Sequence, residues 1–74
     1  MLREKLEIVA PVYNEEEVLP ETLTRFNLLR QNLAVKNVDV SFIFVDDGSN
    51  DSTLEILRNA SINQSYLKVL SLSR

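Results

Sequence analysis

Apolar residues in this chain fall into three short runs separated by more polar stretches. The runs cover residues 6–12, 38–45 and 66–73, and they are rich in the β-branched and aromatic residues that favour strands. Residues 42–45 of the second run include no polar residue, as in a strand that is covered on both faces. The pattern therefore predicts three β-strands, of which the second has the clearest signal.

A stripe with helical spacing lies between the first two strands. Its members recur at intervals of four, three, three and four residues: Leu19, Leu23, Phe26, Leu29 and Leu33. This spacing puts them on one face of a helix, where we expect them to face the core. Because proline is tolerated best in the first helical turn, Pro20 predicts that the regular helix begins near Leu19. Asn14 is predicted to cap a looser entry to this helix, with Glu17 three residues on as in a capping box.

A second and shorter helix is predicted after the second strand. Ser52 and Glu55 fit the capping-box pattern at its start, and its apolar face fades over residues 59–65. The order β-α-β-α-β predicts an α/β fold with a parallel three-stranded sheet, which is half of a doubly wound domain. The carboxyl ends of the strands would gather residues 11–15, 46–51 and 71–74 at one rim. Pro11 cannot donate to a ladder, so we expect it to mark the end of pairing in the first strand.

The length of the chain bears on its domain organisation. Its 74 residues suffice for one small domain or for part of a larger one. A three-stranded sheet leaves apolar edges without partners, and a larger α/β domain would continue after the last strand. We therefore expect residues 1–74 to form the N-terminal segment of a longer domain, with sheet edges at which a homo-oligomer could form.

Charge and composition argue against several classes of protein. The net charge is −3, the pI is about 4.8 and the positive residues are scattered, which argues against nucleic-acid binding. Since the chain has no Cys and no His, disulfides, thiolate zinc sites and imidazole catalysis are excluded. A metal held here would be a hard cation such as magnesium or manganese. Residues 1–5 are charged, and no apolar run is long enough to span a membrane, so we expect a soluble, cytoplasmic chain.

Two adjacent carboxylates, Asp46 and Asp47, stand where the second strand runs into a loop. Successive strand residues face opposite sides, so we expect one of them to contact a ligand and the other to hold the loop. Gly48, the only glycine in the chain, permits a positive φ and predicts a turn. The same residues also suit a purely structural turn in which Asp and Asn side chains bind backbone N–H groups. Ligands of open parallel sheets bind outside the carboxyl ends of the strands, which favours a crevice between this loop and residues 11–15.

Three familiar motifs do not fit the chain. A dinucleotide fingerprint needs three spaced glycines, and a P-loop needs Gly-Lys-Ser or Gly-Lys-Thr. The chain has a single glycine and neither tripeptide. An aspartyl-phosphate phosphatase would have an acidic residue two positions before Asp47, where this chain has Val45.

Two segments resemble the opening of the family 2 glycosyltransferases. They read Ile-Val-Ala-Pro-Val-Tyr-Asn-Glu-Glu at 8–16 and Phe-Val-Asp-Asp-Gly-Ser-Asn-Asp-Ser-Thr at 44–53, and residues 69–74 resemble the family's third strand. The similarity spans nearly the whole chain. It is greatest to the polyprenyl-phosphate sugar transferases, such as dolichyl-phosphate mannose synthase and bactoprenol glucosyltransferase. The resemblance implies that this region is the nucleotide-binding half of a GT-A, Rossmann-like domain.

The resemblance also implies roles for individual residues. Pro11, Tyr13 and Glu15 would line a nucleoside pocket, with Tyr13 against the base and Glu15 reaching the ribose or the base edge. An aspartate of the pair Asp46 and Asp47 would accept a hydrogen bond from a ring N–H of uracil or guanine. From the residues alone, Tyr13 also suits an ordinary rim position. The acidic run that begins at Glu15 likewise suits a helix start favoured by the helix dipole.

The resemblance implies that the catalytic machinery lies beyond this chain. The family's Asp-x-Asp motif, which holds the divalent cation (Mg or Mn), normally follows a further strand and helix, and no Asp-x-Asp occurs here. The intact, inverting enzyme would use a nucleotide-diphosphate sugar and a polyprenyl-phosphate acceptor at the cytoplasmic face of a membrane. The 74-residue segment would bind the nucleoside at most and would be inactive. Two alternatives stay open: a non-catalytic α/β module that binds a nucleotide or a protein, and a self-associating fragment.

Overall fold

The computed structural model describes residues 3–72, and the five predicted elements are present in the predicted order. Their bounds are β1 Glu4–Val12, α1 Leu19–Ala34, β2 Val38–Asp46, α2 Thr53–Ile62 and β3 Leu67–Ser71. β1 starts earlier than predicted and β2 ends one residue later, at Asp46. Ser73 and Arg74, which were predicted at the end of the third strand and at the rim, lie outside the described residues.

The strands form one sheet in the order β1-β2-β3, and both pairs are parallel, as predicted. β2 is therefore the central strand of the three. Its Asp46 lies opposite Val12 of β1 and Ser71 of β3, so the three carboxyl ends meet at one rim. The fold prediction of a β-α-β-α-β unit with a parallel sheet is confirmed.

Both helices cover the same face of the sheet, and the core lies between. Fully or nearly fully buried apolar side chains form this core: Val12, Leu19, Val40, Phe42, Phe44, Leu57 and Leu67. Phe26 of α1 stacks on two β2 rings, with centroids 4.8 Å from Phe42 and 5.5 Å from Phe44. The predicted helical stripe faces this core, except that Leu29 is exposed.

The opposite face of the sheet is not covered by any of the described residues. Ile43 and Val45 of β2 are only half-buried there, while Val9 of β1 is 60% exposed and Leu70 of β3 is 54% exposed. The prediction that residues 42–45 are covered on both faces is therefore wrong for residues 3–72, because both connecting helices pack on the same side. We call this uncovered side of the sheet the open face, and define it by Val9, Pro11, Ile43, Val45 and Leu70.

The prediction that Pro11 marks the end of pairing in β1 is wrong. It lies within β1 opposite Val45, and the Val12 carbonyl still accepts a hydrogen bond from the Asp47 N–H at 3.1 Å. The backbone of alternate β1 residues faces away from β2. Pro11 is one of these residues, so its missing N–H removes nothing from the β1–β2 ladder.

The start of α1 differs in one respect from the prediction. The helix begins at Leu19 with Pro20 in its first turn, as expected, and the Glu15 carbonyl accepts the N–H groups of Val18 and Leu19 at 3.2 and 2.9 Å. Asn14 is not its N-cap, because Val18 occupies that position and makes no side-chain cap bond. The Asn14 side chain instead accepts a hydrogen bond from a residue of the loop after β2.

α2 begins at Thr53 after Ser52, at the predicted boundary. Ser52 makes no side-chain cap bond, however, so the predicted capping box does not form. Asp51 takes over this task, since its carboxylate accepts the Thr53 N–H at 2.9 Å. A carboxylate at this end of a helix is also favoured by the positive end of the helix dipole.

Candidate functional site

The loop after β1 leaves the rim with Tyr13 turned toward solvent. Tyr13 is 52% exposed, so its ring is accessible at the rim. The next residue, Asn14, has a φ of 48°, in the left-handed region that Asn tolerates better than most residues. This turn directs the chain from β1 toward the entry of α1 and leaves Tyr13 at the corner.

The loop after β2 is built around a buried carboxylate. Asp46 is 1% exposed and accepts hydrogen bonds from both the hydroxyl and the backbone N–H of Ser49, the latter at 3.2 Å. Gly48 lies inside this turn with a φ of 77°, so the predicted need for a positive φ is confirmed. A side chain as polar as Asp46 is stable in a buried position only when its oxygens are bound in this way.

Four hydrogen bonds join the two loops. The Asn14 N–H donates to the Ser49 hydroxyl at 2.9 Å, and the Asn14 side-chain oxygen accepts the Asn50 N–H at 2.8 Å. The N–H groups of the next two residues donate to the helix-start residues of α2, Glu15 to the Thr53 hydroxyl at 2.8 Å and Glu16 to Asp51 at 3.2 Å. The two loops therefore form one connected rim, as the shared sheet edge predicted.

A cavity of about 580 Å³ opens at this rim. It is lined by Tyr13, Asp47, Gly48 and Asn50, which come from both loops. The cavity thus combines an exposed aromatic ring, a carboxylate and the backbone of a glycine turn. An aromatic face and a carboxylate acceptor are the groups that a flat heterocycle with ring N–H donors requires.

The structure divides the predicted site residues between different places. Tyr13 and Asp47 line the main cavity, whereas Glu15 lines a separate cavity of about 220 Å³ together with Asp51 and other acidic residues of the α1 entry. Pro11 is exposed on β1, and Asp46 is buried beneath the turn. Contact of any of these five residues with a nucleotide stays a prediction.

Asp51, in the loop after β2, has a pKa that departs from its ordinary value. Burial acts to raise the pKa of Asp51, but hydrogen bonds from the Thr53 side chain and from the backbone N–H groups of Thr53 and Glu16 lower it by more. The pKa therefore lies below its ordinary value, and Asp51 is ionised at neutral pH. An ionised Asp51 is the better acceptor for the N–H groups that join the loops.

Sequence reasoning missed the residues that hold the loops together. Asn14 was interpreted as a helix cap, and Ser49 and Thr53 received no role, although they bind the backbone across the rim. Their partners are 35 to 38 residues away in sequence, so no local pattern could reveal them. The only available signal was Asn14 itself, whose residue type favours a left-handed turn.

Within residues 3–72 no three carboxylates come together in a group that could hold a metal ion. The same stretch also has no helix of the length and apolar character needed to cross a membrane.

Comparison with known proteins identifies the family. The sequence model described as "Glycosyl transferase family 2" matches residues 7–74. The chain is 40% identical over 67 residues to "Uncharacterized glycosyltransferase YkcC" of Bacillus subtilis (strain 168), which covers 90% of this chain and 20% of that protein. It is 31% identical over 70 residues to "Prophage bactoprenol glucosyl transferase homolog" of Escherichia coli (strain K12), covering 95% of this chain and 22% of that protein.

A third relative is "Undecaprenyl-phosphate 4-deoxy-4-formamido-L-arabinose transferase" of Pseudomonas fluorescens (strain SBW25). It is 44% identical over 54 residues, which cover 73% of this chain and 15% of that protein. The chain thus spans about a fifth of the length of the relatives that it matches. Its parallel α/β sheet is consistent with the N-terminal half of the Rossmann-like GT-A fold. The resemblance found in the two loop motifs is confirmed, and the chain belongs to glycosyl transferase family 2.

Proposed function

We propose that this chain is the donor-nucleotide-binding segment of a glycosyltransferase. The observation that carries the proposal is the cavity at the carboxyl ends of β1 and β2, lined by Tyr13, Asp47, Gly48 and Asn50. Its volume of about 580 Å³ lies in the range typical of small-molecule sites. Its position outside the carboxyl ends of parallel strands is where open α/β sheets bind ligands.

The residues of the cavity suit a nucleoside base. Tyr13 offers its ring face for stacking, and Asp47 offers an acceptor for a ring N–H of uracil or guanine. Asp46 acts through Ser49 by holding the turn that carries Asp47 and Gly48. Pro11 and Glu15 complete the proposed site. Glu15 is in the same loop as Tyr13 and lines the smaller cavity, from which it would reach the ribose or the base edge.

The proposed substrates follow from the family and the relatives' names. The parent protein would transfer a sugar from a nucleotide-diphosphate sugar to a polyprenyl phosphate, with inversion, in the synthesis of lipid-linked sugars. Relatives named for bactoprenol and undecaprenyl phosphate support this acceptor class. Family membership does not favour the alternative of a non-catalytic binding module. The acceptor would place the parent at the cytoplasmic face of a membrane.

The proposed cation site and catalytic base lie in a part of the parent beyond this chain. Family 2 enzymes generally use a divalent cation, and within residues 3–72 no three carboxylates form a group that could hold one. The cation, when bound, would neutralise the diphosphate of the donor. Residues 1–74 would contribute the nucleoside pocket and no catalytic group.

We also propose that the chain is one part of a larger domain. Two observations support this: the open face leaves Val9 and Leu70 more than half exposed, and the matched relatives are about five times as long. Burying such apolar surface stabilises a fold by about 25 cal/mol per Å². Further chain packed on the open face would therefore stabilise the sheet that carries the site.

An amide NMR titration of the chain with UDP and GDP, with and without Mn²⁺, tests nucleotide binding. We expect shifts confined to Tyr13, Asp47, Gly48 and Asn50 that do not depend on the metal. Tyr13→Ala removes the stacking partner and should weaken binding by about 5- to 150-fold, as a stacking energy of roughly 1–3 kcal/mol implies. Tyr13→Phe keeps the ring and serves as the matched control.

The titration also has outcomes that contradict the proposal. If the chain is folded and its rim signals do not shift with either nucleotide, the proposal that this segment binds a nucleotide is wrong. Equal affinities for the Tyr13→Ala and Tyr13→Phe variants would remove Tyr13 from the site.

A further inference from the structure

The amino-terminal half of β2 has an unpaired edge. β3 begins at Leu67, opposite Phe42, so residues 38–41 of β2 extend beyond it. The Phe42 N–H donates to the Tyr66 carbonyl at 2.7 Å, and the Asp46 carbonyl accepts the Leu72 N–H at 2.9 Å. Because alternate residues of a strand direct their backbone groups to the same edge, Val38 and Val40 also face the β3 side. Among the described residues, β3 offers them no partner.

A cavity of about 360 Å³ lies beside this edge. It is lined by residues 38–41 of β2, by Arg30 of α1, by Lys5 of β1, and by Ser65 and Tyr66 ahead of β3. We call this feature the β2 notch. It lies at the amino end of the sheet, opposite the rim that carries the proposed nucleotide site.

One wall of the notch carries the guanidinium group of Arg30. Arg30 lies over the Tyr66 ring, 4.1 Å from its centroid, and donates to the Asn27 side-chain oxygen at 3.0 and 3.3 Å. The Tyr66 hydroxyl donates to the same Asn27 oxygen at 3.1 Å. These contacts fix the position of the guanidinium in the wall of the notch. Arg30 has no carboxylate partner among residues 3–72.

Charge in the notch is positive, although the chain has a net charge of −3. Lys5 forms no ion pair within the described part of the chain, and the acidic Asp39 is paired with Arg3 at 2.7 Å. Lys5 stands opposite Asp39 in the register and therefore belongs to the open face, whereas α1 carries Arg30 on the other face. The two cations thus line the notch from opposite faces of the sheet, and Asp39 of β2, which is paired with Arg3, lies between Lys5 and the unpaired edge.

We propose that the β2 notch binds an extended acidic peptide segment of a partner protein as an added strand. Its backbone pairs with the N–H and carbonyl groups of Val38 and Val40, which face the notch. Side chains of an added strand alternate between the two faces of the sheet, so two consecutive acidic residues reach Arg30 on one face and Lys5 on the other. A segment of about four residues matches the length of the free edge, at roughly 3.3 Å per residue. The proposal is independent of nucleotide binding at the opposite rim.

An amide NMR titration with the peptide acetyl-Val-Glu-Glu-Val-amide tests the proposal. We expect the signals of Val38 and Val40 to shift and those of Tyr13 and Asp47 to stay in place. The lysine counterpart, acetyl-Val-Lys-Lys-Val-amide, and a peptide methylated at its backbone nitrogens should each bind at least tenfold more weakly. Equal binding of the lysine peptide would overturn the charge argument, and equal binding of the methylated peptide would overturn strand addition.

Variants of the chain locate the peptide. Arg30→Gln should weaken binding of the acidic peptide about tenfold, whereas Arg58→Gln, at an exposed arginine of α2, should not. Lys5→Gln changes an exposed strand residue and provides a second test that leaves the Arg30–Tyr66 contact intact. If inorganic phosphate reproduces the same shifts and displaces the peptide, the notch is a small-anion site and the proposal is wrong.

Discussion

Asp46 and Asp47 are neighbours in sequence, but their side chains lie in different surroundings at the end of β2. Asp46 points to the helix-covered face, where it is buried and binds Ser49, while Asp47 lines the cavity beside Tyr13. The alternation of strand side chains is the physical cause, because it turns adjacent residues to opposite faces. One carboxylate therefore shapes the loop, and the other lines the cavity.

Lowering the pH is expected to loosen the contact between the two loops through Asp51. Burial raises the pKa of Asp51, but hydrogen bonds from Thr53 and Glu16 lower it by more, so the folded pKa lies below the unfolded one. Such a group contributes stability that is complete above its unfolded pKa of about 4 and is lost as the pH falls through its folded pKa. The amide signals of Glu16 and Thr53 should shift together below about pH 4, measured by NMR.

Asp51→Asn provides the control for this pH dependence. Its side-chain oxygen still accepts a hydrogen bond but does not titrate, so the Thr53 amide signal should not move in that pH range. A Thr53 shift of the same size and midpoint in the variant would assign the pH dependence to another carboxyl group.

At the scale of elements, β2 organises the fold because it is paired on both sides and carries the core aromatics. Phe42 and Phe44 are almost fully buried, and Phe26 of α1 stacks on both of them. The alternate residues of β2, Ile43 and Val45 among them, lie on the open face. One strand therefore supplies both the core and the surface that further chain is proposed to cover.

Phe44→Ala is expected to remove a large part of the free energy of unfolding of the chain. Removing a buried Phe side chain costs about 3–5 kcal/mol, while a domain of this length is stable by roughly 0.05–0.15 kcal/mol per residue. Val9→Ala, on the open face of β1, should cost less than about 1 kcal/mol because Val9 is 60% exposed. Urea unfolding followed by circular dichroism measures both, and equal losses would contradict the assignment of the core to one face.

At the scale of the whole molecule, the two ends of the sheet differ. The carboxyl end carries two loops joined by four hydrogen bonds and a cavity with a carboxylate, whereas the amino end carries the β2 notch with two cations. The apolar open face lies between them. This arrangement offers three separate surfaces, and each calls for its own test.

The open face predicts that the chain on its own associates with a second copy. Apolar side chains such as Val9 and Leu70 gain free energy when they leave water, so the mass measured by sedimentation should rise with concentration. The double variant Val9→Lys, Leu70→Lys should shift this equilibrium toward the monomer. Val35→Lys, at a residue just after α1 that is 86% exposed and not on this face, is the matched control. A constant monomer mass, or an equal effect of the control, would contradict the prediction.

Local patterns were sufficient to predict the elements and the family. Period-two and helical spacing located three strands and two helices, and the order of these elements predicted the parallel sheet. Gly48 correctly predicted a positive φ, because few other residues adopt one at low energetic cost. These features depend on neighbours in sequence or on the number of residues between strands. Both kinds of information can be obtained from a single sequence.

Features that depend on distant partners needed the tertiary structure. Asn14 does not cap α1, and its side chain instead accepts a hydrogen bond from the Asn50 N–H. Pro11 lies within a paired strand, because its nitrogen faces the free edge of β1. The uncovered face of β2 was missed for the same kind of reason, since an apolar run does not say which of its sides other elements reach. The sequence pattern carries the identity and direction of each element. The packing of one element against another decides which side chains are buried, which form the rim, and which remain open for a partner.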